Sequence, residues 1–169
     1  MIKLVKGGLR TAPFLYKSIG GKGKIMITMN VNEKEYKLKF GFDAAEEKNI
    51  VQRMFNIVSG AYILKGGNDL TKAVFEGTGD MISDIPQTCI EAIFAGCLEE
   101  NPVTMDEAKT LSRTYITEKR KSDKKYSYRS LFDELKKAME DDGFFDLSGI
   151  NEMVEEMTTN AEEAISLKK

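Results

Sequence analysis

The chain has 169 residues, with 25 Lys and Arg against 27 Asp and Glu, and 41% of the residues are apolar. These values predict one globular domain, with or without short arms, and argue against a disordered chain or a polycation that binds nucleic acid. Histidine is absent, which excludes Ser-His-Asp and Cys-His catalysis, and no stretch approaches the roughly 18 apolar residues of a membrane span. We therefore expect a cytoplasmic protein that is not an enzyme, holds no metal or cofactor and contacts no membrane.

The opening segment, residues 1–24, carries six lysines and arginines and no acid. Five glycines interrupt its apolar residues, which follow no regular period. We interpret it as a basic, Gly-rich arm that docks on a partner. The alternative, an ordinary tail or an extension ahead of the native start, stays open.

Residues 25–42 alternate between apolar and polar side chains on either side of a turn near Asn32 and Glu33. This period of two predicts an antiparallel β-hairpin with one apolar face. A lone hairpin is marginally stable in water, so we expect that face to rest on helices.

Helical periodicity with caps and stops fills the rest of the chain. The predicted helices open near Asp43, Asn68, Pro86, Thr104, Ser127 or Ser130, and Ser148. The fold class is therefore mainly α with a small N-terminal β-hairpin (α+β), built as a bundle of five or six helices. We divide the chain into the arm 1–24, a hairpin plus helical core 25–147, and a C-terminal acidic amphipathic helix 148–169.

The apolar spacing after Pro86 predicts the central core helix, with Phe94 buried in it. On that basis Phe94→Ala is expected to cost about 3–5 kcal/mol. Cys89 and Cys97 lie about 12 Å apart along the same helix, which is too far for a disulfide, so both are interpreted as small buried residues.

Two surfaces are candidates for binding a partner. One is the apolar stripe of the last helix, formed by Ile150, Met153, Val154, Met157 and Ile165. Methionine is common at adaptable binding surfaces, although the same positions also suit an ordinary core. The other is a basic and aromatic stretch that includes Arg113, Arg120 and Tyr126, for which a solvated helix end is the alternative.

Charge is also segregated along the chain. Residues 1–42 carry nine lysines and arginines against two glutamates, whereas residues 140–163 carry nine acids and no base. A basic head and an acidic tail can attract each other within one chain, or they can join neighbouring chains head to tail. Coincidence of surface composition is the remaining alternative.

A resemblance to a known family emerges from three parts of the sequence. These are the strand pattern Lys34 to Phe42, the Asp84-Ile85-Pro86 turn, and the run Ile90-Glu91-Ala92-Ile93-Phe94-Ala95-Gly96. Over about residues 26–157 the chain resembles tail assembly chaperones of long-tailed bacteriophages or prophages of Gram-positive bacteria. Such proteins usually begin near the position of Met26, so residues 1–24 depart from the pattern.

The resemblance implies a protein that binds the tape measure protein and recruits tail tube subunits during tail assembly. It also implies a host-cytoplasmic protein that is absent from the mature virion. Two other functions remain open, namely a structural neck or tail-completion adaptor that stays in the virion, and a small nucleic-acid-binding regulator that uses the basic stretch.

Overall fold

A computed structural model describes residues 27–31, 33–64 and 69–166. Two antiparallel strands, β1 (Thr28–Val31) and β2 (Lys34–Lys37), form the hairpin, with Thr28 opposite Lys37. The hairpin is confirmed, although its strands are shorter than predicted. Residues 38–40 belong to no regular element, and the predicted start at residue 25, like the arm 1–24, lies outside the described residues.

Helices make up most of the remaining described chain, which confirms a mainly α, α+β fold. Five longer helices are joined by three of four or five residues. In chain order they are α1 (Phe42–Glu46), α2 (Lys48–Val58), α3 (Ala61–Leu64), α4 (Leu70–Cys97), α5 (Met105–Ser122), α6 (Tyr128–Asp142), α7 (Phe144–Leu147) and α8 (Ile150–Ser166).

The C-terminal half of α4 is the centre of the core and packs against both α5 and α6. Ile93 is fully buried there, as are Leu131 and Leu135 on α6. The hairpin lies on α5 through β1, and its apolar face, which includes Met29, joins the same core. The expectation that the apolar face of the hairpin rests on helices is therefore confirmed.

The last turn of α4 meets the chain that follows the hairpin. The Lys39 backbone N–H donates to the Gly96 carbonyl at 2.8 Å. A Cβ atom built at Gly96 would lie 3.0 Å from the Phe40 ring and 3.2 Å from the Leu38 Cβ. This close approach explains why a glycine occupies position 96, because any side chain would displace the Phe40 ring from the core.

Three predictions about the helices need correction. Pro86 does not open a third helix, because it lies inside α4, which runs unbroken over 28 residues. Asp43 does not cap the first helix, since Gly41 is the N-cap and Glu47 separates α1 from α2. Phe94 is only partly buried at the edge of the core, so the 3–5 kcal/mol expected for Phe94→Ala is too large and belongs to fully buried rings such as Phe144.

Other end signals are confirmed. Thr104 and Glu107 form a reciprocal capping box at the start of α5, and these hydrogen bonds lower the pKa of the Glu107 carboxyl. Gly143 ends α6 with a φ of 79°, a conformation that glycine adopts without strain. Ser148, in contrast, does not cap α8, because its hydroxyl donates to the Phe145 carbonyl at the end of the unpredicted helix α7.

Candidate protein-binding surfaces

Three of the described large apolar side chains are exposed on the N-terminal half of α4, residues 70–84. Phe75 is 77% exposed, Ile82 59% and Val74 41%. Thr71, Phe75, Thr78 and Ile82 follow one another at intervals of four, three and four residues, so they form one uncharged row. We call this row, together with Val74 and Gly79, the α4 face. A Cβ built at Gly79 would meet no atom within 4 Å, so the middle of the face is open.

The opposite side of this half-helix is anchored. Ala73 is 3% exposed, and α3 and α2 pack along this part of the molecule. The Tyr62 hydroxyl donates to Asp84 Oδ2 at 2.6 Å. The Arg53 guanidinium lies 3.7 Å from the other oxygen of the same carboxylate, Asp84 Oδ1. The α4 face is therefore exposed on a held helix rather than on a loose end.

The contact between Tyr62 and Asp84 also changes the pKa of the Tyr62 hydroxyl. Burial, together with the hydrogen bond to Asp84, raises the pKa of Tyr62 to about 12. The neutral phenol is thus the form that the folded protein favours, because a phenolate beside Asp84 would place two negative charges together.

The predicted stripe of α8 is split by packing. Ile150 is 3% exposed and Val154 packs against the core, whereas Met153 is 49% and Met157 43% exposed. Ala161, one turn further along, is exposed too, and the Ile165 side chain lies outside the described part. The first turns of α8 therefore belong to the core, while the apolar stripe continues past the point where packing ends.

The acids of α8 stand apart from those elsewhere. The helix carries five glutamates and no base: Glu152, Glu155, Glu156, Glu162 and Glu163. None of them forms a side-chain hydrogen bond or ion pair with another described residue. In α6, by contrast, Glu140 pairs with Lys136 at 3.1 Å and Asp141 with Lys137 at 3.2 Å.

The basic and aromatic stretch does not form one surface. Tyr126 is 6% exposed, and its ring packs edge-on against Tyr115 with 6.3 Å between centroids. The Arg120 guanidinium donates to the Tyr126 carbonyl at 2.7 Å, which fixes the loop between α5 and α6. Burial and the nearby Glu134 raise the pKa values of both tyrosines. We therefore remove Tyr126 from the candidate contacts, while Arg113 stays exposed on α5.

The two cysteines are free and buried, as predicted. Burial raises the pKa of Cys89 to about 12 and that of Cys97 to about 11, so both thiols remain protonated and unreactive near neutral pH. Across residues 27–31, 33–64 and 69–166, three or more metal-ligating side chains are nowhere grouped closely enough to hold an ion. In the same ranges, no helix combines the length and hydropathy needed to cross a bilayer.

No protein-family model, curated protein or solved structure matches the chain. The surfaces themselves are therefore what bears on function.

The α4 face was not predicted from the sequence. Val74, Phe75 and Ile82 lie within a predicted helix, but Gly77 and Gly79 made its periodicity weak, and the break predicted at Pro86 separated it from the core helix. The usable signal was the uncharged row at four-three-four spacing, which is the spacing of a helix that packs against another helix.

Proposed function

We propose that this protein is a tail assembly chaperone that holds a helical segment of a phage tape measure protein, with the α4 face as its main contact. The observation that carries the proposal is the exposure of Phe75 and Ile82, 77% and 59%, on an anchored helix. Scattered single apolar residues are normal on a surface, but Val74, Phe75 and Ile82 lie together on one helix face, as is typical of a docking site.

The shape of the α4 face supports a helical client. Its row has the alternating spacing of four and three residues that two packed helices share, and residues 70–84 extend over about 22 Å at 1.5 Å per residue. Gly79 leaves space in the middle where a second helix can approach closely. A tape measure protein, as a long helical molecule with apolar faces before assembly, fits such a surface.

The last helix takes a secondary place in this proposal. In the α8 stripe predicted from the sequence, Met153 and Met157 are exposed, but Ile150 and Val154 pack in the core. Deleting all residues after Ser148 would therefore remove core packing as well as surface. Replacing Met153 and Met157 by serine separates the two effects better, because both side chains are exposed while Ile150 and Val154 continue to hold the helix on the core.

The test is co-expression with the tape measure protein encoded in the same tail gene cluster, followed by co-purification and titration. The double variant Phe75→Ser, Ile82→Ser should weaken the complex at least about 30-fold, because hot-spot side chains contribute about 2 kcal/mol or more. The matched control is Met105→Ser, Leu147→Ser, which removes two exposed apolar side chains from other helices and should leave binding unchanged.

Circular dichroism of each variant verifies that it is folded. If the α4 variant binds as tightly as the unaltered chain, the α4 face is not the contact.

Two further observations would distinguish this function from the two alternative functions. Presence of the protein in purified virions would favour a neck or tail-completion adaptor, and a salt-dependent shift of DNA or RNA would favour a nucleic-acid-binding regulator.

A further inference from the structure

The exposed part of α8 offers a second surface whose chemistry differs from that of the α4 face. Met153 and Met157 are 49% and 43% exposed. Glu152, Glu156 and Glu163 follow at intervals of four and seven residues, so they form an acidic row beside the methionines. The surface is therefore apolar along one edge and negative along the other.

One segment of the chain matches both edges. Residues 1–24 carry six positive side chains and no acid, together with apolar residues that include Leu9, Phe14, Leu15 and Tyr16. The glutamates of α8, which pair with no residue in the described part of the chain, complement this charge, whereas Glu140 and Asp141 of α6 are already neutralised by lysines of their own helix. Methionine side chains adapt readily to an irregular apolar partner.

We infer that residues 1–24 dock on the exposed face of α8 within the same chain. The segment joins the described structure at Ile27. If the side chains from Lys3 to Lys17 make the contact, residues 18–26 remain as the linker, and nine extended residues span roughly 30 Å. A compact domain of 169 residues measures about 40 Å across, so a linker of this length spans most of the molecule.

The linker also favours docking within one chain over docking between chains. A segment linked to its own domain has an effective concentration of the order of millimolar, far above ordinary concentrations of free protein. If the segment binds α8 with a Kd of about 0.1 mM, this effective concentration lowers the fraction of molecules in which the helix is locally open about tenfold.

Hydrogen exchange of the full chain, without any client, tests the inference. The readout is the exchange rate of backbone amides 159–166, in the part of α8 whose described side chains are exposed. Replacing four basic residues of the segment by serine should speed this exchange about tenfold. The changed residues are Lys3, Lys6, Arg10 and Lys17.

A matched control removes the same charge elsewhere. It replaces four exposed lysines of α2, α5 and the loop after α5 by serine and should leave exchange in α8 unchanged. These lysines are Lys48, Lys109, Lys124 and Lys125. In a charge-reversal variant, the four basic residues become glutamate, and Glu152, Glu156 and Glu163 become lysine. This variant should restore slow hydrogen exchange in α8.

The contact is supported by three results together. The segment variant loses the slow exchange of α8, the lysine control keeps it, and the charge-reversal variant recovers it. Loss of the slow exchange in 1 M salt, where charges are screened beyond about 3 Å, also supports the contact. Equal exchange in the segment variant and the unaltered chain overturns it. Protection that rises with protein concentration would place the segment on a second copy and overturns docking within the chain. Because no client is present, none of these results depends on the proposed function.

Discussion

Two halves of one helix have opposite surroundings. In the C-terminal half of α4, residues 85–97, nearly every apolar side chain is buried between α5, α6 and the hairpin. In the N-terminal half, residues 70–84, only one side is held and the other presents Phe75 and Ile82 to solvent. A continuous helix can thus carry the core at one end and offer a rigid contact surface at the other.

The largest difference between the halves should appear in isoleucine truncations. Ile93→Ala should lower the free energy of unfolding by about 2–5 kcal/mol, because it leaves a cavity in a fully packed site. Ile82→Ala should change it by less than about 0.5 kcal/mol, because that side chain is 59% exposed. Urea denaturation measures both, and a comparable loss at Ile82 would mean that the N-terminal half is packed like the core.

The glycines of α4 should respond with opposite signs. Gly96→Ala should destabilise by about 1–3 kcal/mol, since the new methyl group meets the Phe40 ring. Gly79→Ala should stabilise by about 0.5–1 kcal/mol, because alanine favours helix and the site is open. Thermal denaturation compares the two variants. Destabilisation at Gly79 would show that something already occupies the α4 face.

The junction of the two halves should give a smaller effect. Tyr62→Phe removes the hydrogen bond to Asp84 and should cost about 0.5–1.5 kcal/mol. The amides of residues 70–84 should exchange faster in this variant, while those of residues 85–97 should not. Faster exchange throughout α4 would show that the halves unfold as one unit.

The smallest effect concerns alkaline pH. The pKa of Tyr62 is raised from the ordinary value of 10.0 to about 12 in the folded protein. The contribution of Tyr62 to the free energy of unfolding is therefore complete below about pH 10 and is lost as the pH rises toward 12. The stability difference between the unaltered chain and Tyr62→Phe should therefore narrow between these values. A difference that stays constant would mean that Tyr62 titrates normally. Tyr115 and Tyr126 are present in both proteins, so their own raised pKa values cancel in the comparison.

Local signals in the sequence predicted local structure well. The alternation around Asn32 and Glu33 located the hairpin, and Thr104 with Glu107 located the start of α5, because these patterns depend on neighbouring residues. Pro86 was misjudged because proline is favoured in a first helical turn and costs about 3 kcal/mol inside a helix. Packing of residues on both sides of Pro86 against α2, α3, α5 and α6 offsets that cost, and sequence periodicity does not reveal such tertiary contacts.

The candidate surfaces were harder to predict for the same reason. Periodicity identifies an apolar stripe but not whether another element covers it. Ile150 and Met153 belong to one predicted stripe, yet one is buried against the core and the other is half exposed. Tyr126 was selected for its basic neighbours, but its ring fills the space between α5 and α6.

The hydrogen bond between Lys39 and Gly96 has a consequence for the order of folding. It joins two residues that are far apart in sequence, so it closes a long loop, and the entropy of that closure opposes early formation. The two helices on which the hairpin rests, α4 and α5, follow each other directly in the chain, so contacts between them close shorter loops and form faster. The hairpin should therefore close over α4 and α5 late, after the end of α4 has formed the site beside Gly96 against which Phe40 packs.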